Sequence, residues 1–251
     1  MKIAVITGAS SGIGKEFLIQ LDKACNDLDQ IWAISRTIEE TKLPDTKAKI
    51  IRLPLDLSKE EAFETLSQKL KAEDPKIKVL VNSAGFGKMG KFTEIPLAMQ
   101  KDMVSLNVSG LMKACHICIP YMAKGGYIIN MASAAAFMPQ MRFAIYAATK
   151  AFVLSFSRAL HYELAPKKVS VTAVCPGPVK TNFFAVAEET GYTLQIKKFI
   201  MVKPEKVVAH ALTCARARKQ LAVYGLPMKA LQLIGKIVPT GFALSIYDRM
   251  V

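Results

Sequence analysis

Tyr146 and Lys150 stand four residues apart in Tyr146-Ala147-Ala148-Thr149-Lys150. On a helix that spacing puts the phenol and the ammonium on one face. A cation beside a phenol favours the phenolate and lowers its pKa from the ordinary value of about 10. A tyrosine so placed can exchange a proton near neutral pH. In isolation such a pair is usually two surface neighbours, and it gains meaning from a second feature near the start of the chain. Thr7-Gly8-Ala9-Ser10-Ser11-Gly12-Ile13-Gly14 follows a short apolar run and leads into a helix expected to start near Gly12. A strand that turns sharply into a helix aims free backbone N–H groups, and the positive end of the helix dipole, at one point. Glycines at 8, 12 and 14 remove the Cβ atoms that would keep a pyrophosphate away.

The elements that must position these residues alternate along the chain. Short β-branched runs occur at Ile3–Ile6, Ile31–Ile34, Ile50–Leu53, Val79–Asn82, Tyr127–Asn130, Val169–Val174 and Leu221–Tyr224. Helical periodicity lies between them, at Lys59–Lys71, Pro96–Met122, Tyr146–Glu163 and Pro204–Ala217. Ser58 is read as the N-cap of the first of these, ahead of Glu60 and Glu61, and Pro204 suits a first helical position. Apolar strands alternating with helices predict an α/β fold, a parallel sheet with helices on both faces. No low-complexity linker or repeat period divides the chain. The expectation is one catalytic domain over 1–225 and an amphipathic extension over 226–251, with Ala230, Leu231, Ile234, Ile237 and Val238 at helical spacing.

Composition narrows the function. Of the residues, 51% are hydrophobic, which excludes a disordered chain. Five scattered cysteines do not make a disulfide scaffold and suit a reducing compartment, so a cytoplasmic location is expected. No secretory signal is read at the N-terminus, and no run is apolar enough to predict a span. The net charge is +14, and residues 166–251 carry 13 Lys/Arg against 4 Asp/Glu. Such an excess suits an anionic ligand, a membrane face or nucleic acid. The last is set aside for want of zinc-finger spacing, RNP-like sequence or a basic repeat.

The ordered motifs resemble the short-chain dehydrogenase/reductase family over roughly residues 1–225. Thr7-Gly8, Gly12 and Gly14 match its TGxxxGxG, and Asp56 follows the third strand as the family's adenine-contacting aspartate does. Asn82-Ser83-Ala84-Gly85 stands for NNAG, Asn107 for the helix asparagine of the catalytic set, and Ser133 lies 13 residues before Tyr146. Pro176-Gly177-Pro178-Val179-Lys180-Thr181 matches PGxxxT. The resemblance implies a Rossmann-type doubly wound domain with seven parallel strands. It also implies catalysis by Asn107, Ser133, Tyr146 and Lys150, with Asn107 placing a water in a proton relay to Lys150. Cofactor contacts are implied for Gly8, Ser10, Ser11, Gly12, Ile13 and Gly14, and for Arg36, Asp56, Leu57, Asn82, Ser83, Ala84 and Gly85. Asn107, Tyr146, Lys150, Pro176, Gly177, Val179 and Thr181 complete that set. No metal is implied.

Ser35 stands where NAD-preferring relatives carry an acid, and Arg36 follows with a guanidinium suited to a 2′-phosphate. NADP(H) is therefore the expected cofactor. Two departures from the family pattern are Ser83 in place of the second asparagine and the continuation over 226–251, which puts a tetramer built on a C-terminal glycine-rich turn in doubt. A homodimer or other homo-oligomer remains expected. Cys115-His116-Ile117-Cys118 has a CxxC spacing but lacks a second ligand pair, so buried thiols are expected.

The pocket walls are expected in 86–92, 134–143 and 182–201, all rich in Phe, Met, Ala and Leu. They suit a bulky apolar ketone or secondary alcohol such as a steroid, a 3-oxoacyl chain or another lipid-like carbonyl. Lys180, Lys197 and Lys198 are expected near the mouth, as anion contacts or as a solvated face. The competing reading is an NADP-binding regulatory or interaction protein with little turnover. For the extension, a helix packed on its own domain stands beside a basic helix lying peripherally on a membrane surface.

Overall fold

The computed structural model describes residues 1–193, 200–239, 241–242 and 244. Seven strands form one sheet: β1 (Lys2–Thr7), β2 (Gln30–Ile34), β3 (Lys49–Leu53), β4 (Lys76–Asn82), β5 (Met122–Met131), β6 (Ser170–Val174) and β7 (Leu221–Ala222). Their order is β3-β2-β1-β4-β5-β6-β7 and every pairing is parallel. The order reverses direction beside β1, so the C-terminal ends of β1 and β4 open a crevice at the switch point. This is the doubly wound Rossmann-type sheet that the motifs imply.

Alternation along the strands divides the core in two. Ile3 and Val5 of β1 face a layer holding Phe63, Leu66, Cys115, Val153 and Leu160. Ala4 and Ile6 face the other layer, with Phe17, Leu18, Leu21, Val208 and Leu212. The first layer is built by α2 (Glu60–Glu73), α4 (Leu111–Cys118) and α5 (Ala144–Glu163), the second by α1 (Gly12–Ala24) and α7 (Pro204–Arg216); the short α6 (Phe183–Ala187) follows β6. Strands buried on both faces in this way read as continuous apolar runs.

Four local expectations are corrected. The long helix expected over Pro96–Met122 is divided into α3 (Leu97–Val104), a π-helical turn (Ser105–Gly110), α4 and a short 3₁₀ turn, and Met122 already belongs to β5. Pro120 cannot continue the α-helical ladder, and Gly110 packs so close that a Cβ there would stand 2.8 Å from the Leu57 carbonyl oxygen. Second, Ser58 does not cap α2. Lys59 holds that position without a side-chain bond, while the Ser58 hydroxyl donates to Asp56 Oδ1 at 2.7 Å. Third, β6 starts at Ser170, and fourth, β7 stops at Ala222, because only Leu221 and Ala222 pair with β6.

The extension folds as α8 (Leu226–Ile237). Its inward face is anchored by buried Met228, whose Sδ would lie 2.5 Å from a Cβ on Gly177, and by Gly235, which abuts the Phe137 carbonyl. Leu226, Leu233 and Ile237 on the opposite face are exposed. No described helix is long and apolar enough to cross a membrane.

Candidate active site

One cavity of about 1150 Å³ opens at the C-terminal ends of β1, β4, β5 and β6. It is lined by Gly8, Ser10, Ser11, Gly12, Ile13, Gly14, Arg36, Asp56, Leu57, Ser83, Ala84, Gly85, Ser133, Tyr146, Lys150, Pro176, Gly177, Val179 and Thr181. Of the catalytic and cofactor-contacting residues expected above, Asn82 and Asn107 do not line it.

The turn after β1 has the shape of a cradle. Gly8 has φ +68°, and a Cβ on it would stand 2.9 Å from the Ala84 backbone N; a Cβ on Gly14 would stand 2.1 Å from the Gly8 carbonyl oxygen. Neither position admits a side chain. Ser11 precedes α1 in extended conformation and gives no side-chain cap bond, and the first turn of α1 holds no acid. The helix therefore presents its N-terminal donors to the cavity. Next to this turn the Ser10 and Ser35 hydroxyls are 2.8 Å apart, and exposed Arg36 lies on the same wall. Burial raises the Asp56 carboxyl, but two bonds from Ser58 and the charges of Arg36 and Lys59 outweigh it and hold it below the ordinary carboxylate value. A dinucleotide fits this end: the glycines leave room for a pyrophosphate, and Asp56 offers an ionised acceptor beyond it.

Tyr146 and Lys150 come from α5, one turn apart, as their spacing predicts. Ser133 arrives from the end of β5, where it caps a short 3₁₀ turn by accepting from the Ala135 N–H at 3.1 Å. That bond occupies a lone pair and leaves the hydroxyl proton for another acceptor. Tyr146 is buried, its ring stacked on Phe143 at a centroid distance of 4.3 Å and flanked by Phe183 at 5.3 Å.

The pKa expectation for Tyr146 is overturned. Burial pushes the phenol up to about 12; its hydrogen bond with Ser133 opposes the rise and nearby Cys175 adds to it. Lys150 is pushed down to about 8, again by burial, with Cys175 opposing. The ammonium donates to the Met131 carbonyl oxygen at 2.8 Å and stands 5.6 Å from the Tyr146 ring centroid. Desolvation is the largest cause of the shift at both groups. At neutral pH the site holds a protonated phenol, which is a proton donor.

The two asparagines serve as struts. Asn107, in the π-helical turn, accepts from the Phe86 N–H at 3.1 Å and donates to the Phe86 carbonyl at 2.9 Å and to Thr149 Oγ1 at 3.2 Å. Both amide protons are used within the protein, so its side chain does not offer one to a relay water. Instead it clamps the chain leaving β4, and Gly85 leaves the room: a Cβ there would be 2.7 Å from Asn107 Oδ1 and 3.6 Å from Lys150 Nζ. Asn82 donates to Asn130 Oδ1 at 2.9 Å and to Cys115 Sγ at 3.2 Å, tying β4, β5 and α4 together beneath the cavity. Cys115 and Cys118 are buried core thiols, as expected.

The far end of the cavity is formed by Phe86, Ala135, Met138, Phe143, Phe183 and Val186 from the three expected walls, and by Pro227, Met228, Leu231 and Ile234 of α8. The contribution of α8 was not foreseen; its helical pattern was readable, but nothing in it reveals contact with Gly177. Lys88 was also missed, a buried lysine inside an apolar loop. Lys180 is exposed and does not line the cavity, and Lys197 and Lys198 lie outside the described residues.

Comparison with known proteins agrees with this arrangement. The chain matches the short chain dehydrogenase family over residues 2–191. A probable oxidoreductase, EphD, of Mycobacterium tuberculosis is 28% identical over 257 residues; the match covers 93% of this chain and 43% of that protein, so the chain spans less than half of that relative. The fold is shared with a short-chain dehydrogenase from Sphingobium yanoikuyae in complex with NADPH (TM-score 0.76, 23% identity, covering 95% of this chain and 97% of that one). It is also shared with a short chain dehydrogenase/reductase from Burkholderia phymatum in complex with NAD (TM-score 0.78, 22% identity, 93% and 92%). With the glycine turn, the Ser133–Tyr146–Lys150 cluster and the family match in agreement, this chain belongs to the short-chain dehydrogenase/reductase family.

Proposed function

We propose that the protein is an NADP(H)-dependent oxidoreductase that interconverts a ketone and a secondary alcohol on a bulky, apolar, lipid-like substrate. The observation that carries this reading is the continuity of the cavity from the Gly8–Gly14 cradle, past Ser133 and Tyr146, into a wall of Phe, Met and Leu side chains. Ser10, Ser11, Ile13, Leu57, Ser83, Ala84, Pro176, Val179 and Thr181 would line the cofactor, and Arg36 would pair with a 2′-phosphate through charge-assisted bonds. When bound, the nicotinamide supplies or accepts the hydride. Tyr146 donates its phenolic proton to the carbonyl oxygen as that oxygen gains charge. Ser133, with its lone pair held by Ala135, donates a hydrogen bond to the same oxygen and stabilises it. Lys150 keeps a positive charge beneath the site. Phe143 and Phe183 exclude water from the phenol. NADPH consumption across steroids, 3-oxoacyl thioesters and small ketones, with Tyr146→Phe as control, tests the reading; turnover retained by that variant refutes the mechanism.

The exposed side of α8 supports a peripheral membrane contact. Leu226, Leu233 and Ile237 fall on one helical face beside Lys229 and Lys236, the pattern of a helix lying on an anionic lipid surface. Leu233→Asp with Ile237→Asp leaves buried Met228 in place and should abolish sedimentation with anionic liposomes. Undiminished binding removes the membrane reading, and a lipid-independent dimer lost in the variant reassigns this face to a second copy.

A further inference from the structure

Among the described residues two lysines are buried, and both line the cavity: Lys150, bonded to the Met131 carbonyl, and Lys88. Lys88 belongs to the loop that leaves β4. Its side chain is 6% exposed, and its Nζ pairs with Glu189, whose side chain is 62% exposed. An ammonium carries three donors, and Glu189 Oε2 accepts one of them. Taking such a charge out of water is costly without acceptors, so the position favours a ligand that brings an acceptor.

The Lys88–Glu189 pair is not needed to close the loop. Met89 N–H donates to the Ala187 carbonyl at 2.8 Å and Thr190 Oγ1 donates to the Met89 carbonyl, so the two segments are tied through Met89 to residues before and after Glu189. Glu189 can therefore swing into water while the wall stays in place. The backbone that carries Lys88 passes beside the chemistry. A Cβ on its neighbour Gly87 would stand 2.9 Å from Tyr146 Cδ2 and the same distance from Phe143 Cζ.

We propose that Lys88 is the polar anchor of the substrate pocket, binding a carboxylate carried at the far end of the ketone or alcohol substrate in exchange for Glu189. The substrate class is then an apolar oxo acid or hydroxy acid. This rests on the oxidoreductase reading above.

The test uses ω-phenyl-ω-oxo alkanoic acids of increasing chain length and their methyl esters. Binding is titrated on the full chain loaded with oxidised cofactor, where no hydride is available, and turnover is read separately with reduced cofactor. The acid of best-fitting length should bind at least about tenfold tighter than its ester, the worth of one charge-assisted hydrogen bond. Lys88→Met should reduce that ratio to about one, and Glu189→Gln, which removes the competing carboxylate, should widen it. The Glu189 variant reports independently if the Lys88 variant does not fold. Equal binding of acid and ester at every length, or an equal loss for both in Lys88→Met, overturns the anchor and makes the pair a loop latch. An acid preference in binding without hydride transfer overturns the oxidoreductase reading alone; hydride transfer with no acid preference overturns the anchor alone.

Discussion

At one end of the cavity the wall is backbone; at the other it is side chains from distant parts of the chain. The Gly8–Gly14 turn is shaped by two contacts that forbid a Cβ, Gly8 against Ala84 and Gly14 against Gly8 itself, and its donors are the free N–H groups at the start of α1. At the other end Phe143 before α5 and Phe183 after β6 pack on Tyr146, and Lys88 after β4 and Met228 of α8 line the same cavity. The first end offers what any dinucleotide would need; the second could change its lining without disturbing the first. Members of the family with loose sequence similarity keep the same sheet, and the divergence is expected where side chains make the wall.

The largest effect expected from that division is at Tyr146. Tyr146→Phe keeps the ring between Phe143 and Phe183 and removes the proton donor, so kcat should fall about 10³-fold. A comparable fall in substrate affinity with kcat preserved would reassign the residue to the wall. Arg36→Asp acts at the other end. It replaces a phosphate partner with a repelling carboxylate and should shift the ratio of kcat/KM for NADPH over NADH by about 100-fold toward NADH; an unchanged ratio refutes the assignment of Arg36. Met228→Ala removes the side chain seated on Gly177. It should lower stability by about 2 kcal/mol, read from the urea midpoint, and raise KM for bulky ketones with the NADPH/NADH ratio unchanged. A change in that ratio would show that the two ends are not separable.

The smallest effect is in the pH profile. With the Tyr146 phenol raised to about 12, the donor stays protonated across the working range, so reduction is not limited by it. Lys150, lowered to about 8, loses its proton as pH rises through that value. Reduction should be level below pH 8 and decline above it, while oxidation, which needs the phenolate, should increase with pH. A reduction rate that rises above pH 8 contradicts both assignments.

The same division explains what the sequence disclosed. All seven strands were legible as short apolar, β-branched runs, the central ones because they are buried on both faces, and the glycine turn because its geometry depends on residues within one local stretch. The Tyr146–Lys150 pair was readable from helical spacing, yet its electrostatics was not: burial by Phe143 and Phe183 raises the phenol, and no spacing reports burial. Asn107 and Asn82 matched family positions, but their side chains bind Phe86, Thr149, Asn130 and Cys115, which a linear motif does not contain. Ser58 looked like a cap because the cap signal is local, and the Asp56 carboxylate claimed its hydroxyl instead. Lys88 and Met228 were silent for the same reason, since each gains its meaning from a partner far along the chain.

The central claim is that hydride and proton meet one carbonyl in this cavity. Reduced NADP carrying deuterium at the transferring carbon, incubated with an aryl ketone, a 3-oxo steroid or a 3-oxoacyl thioester, should deliver the label to the carbinol carbon of the product alcohol with the wild-type chain, and Tyr146→Phe should suppress that transfer about 10³-fold. Tight binding of the labelled cofactor with no label in any product, or transfer undiminished in Tyr146→Phe, would contradict it.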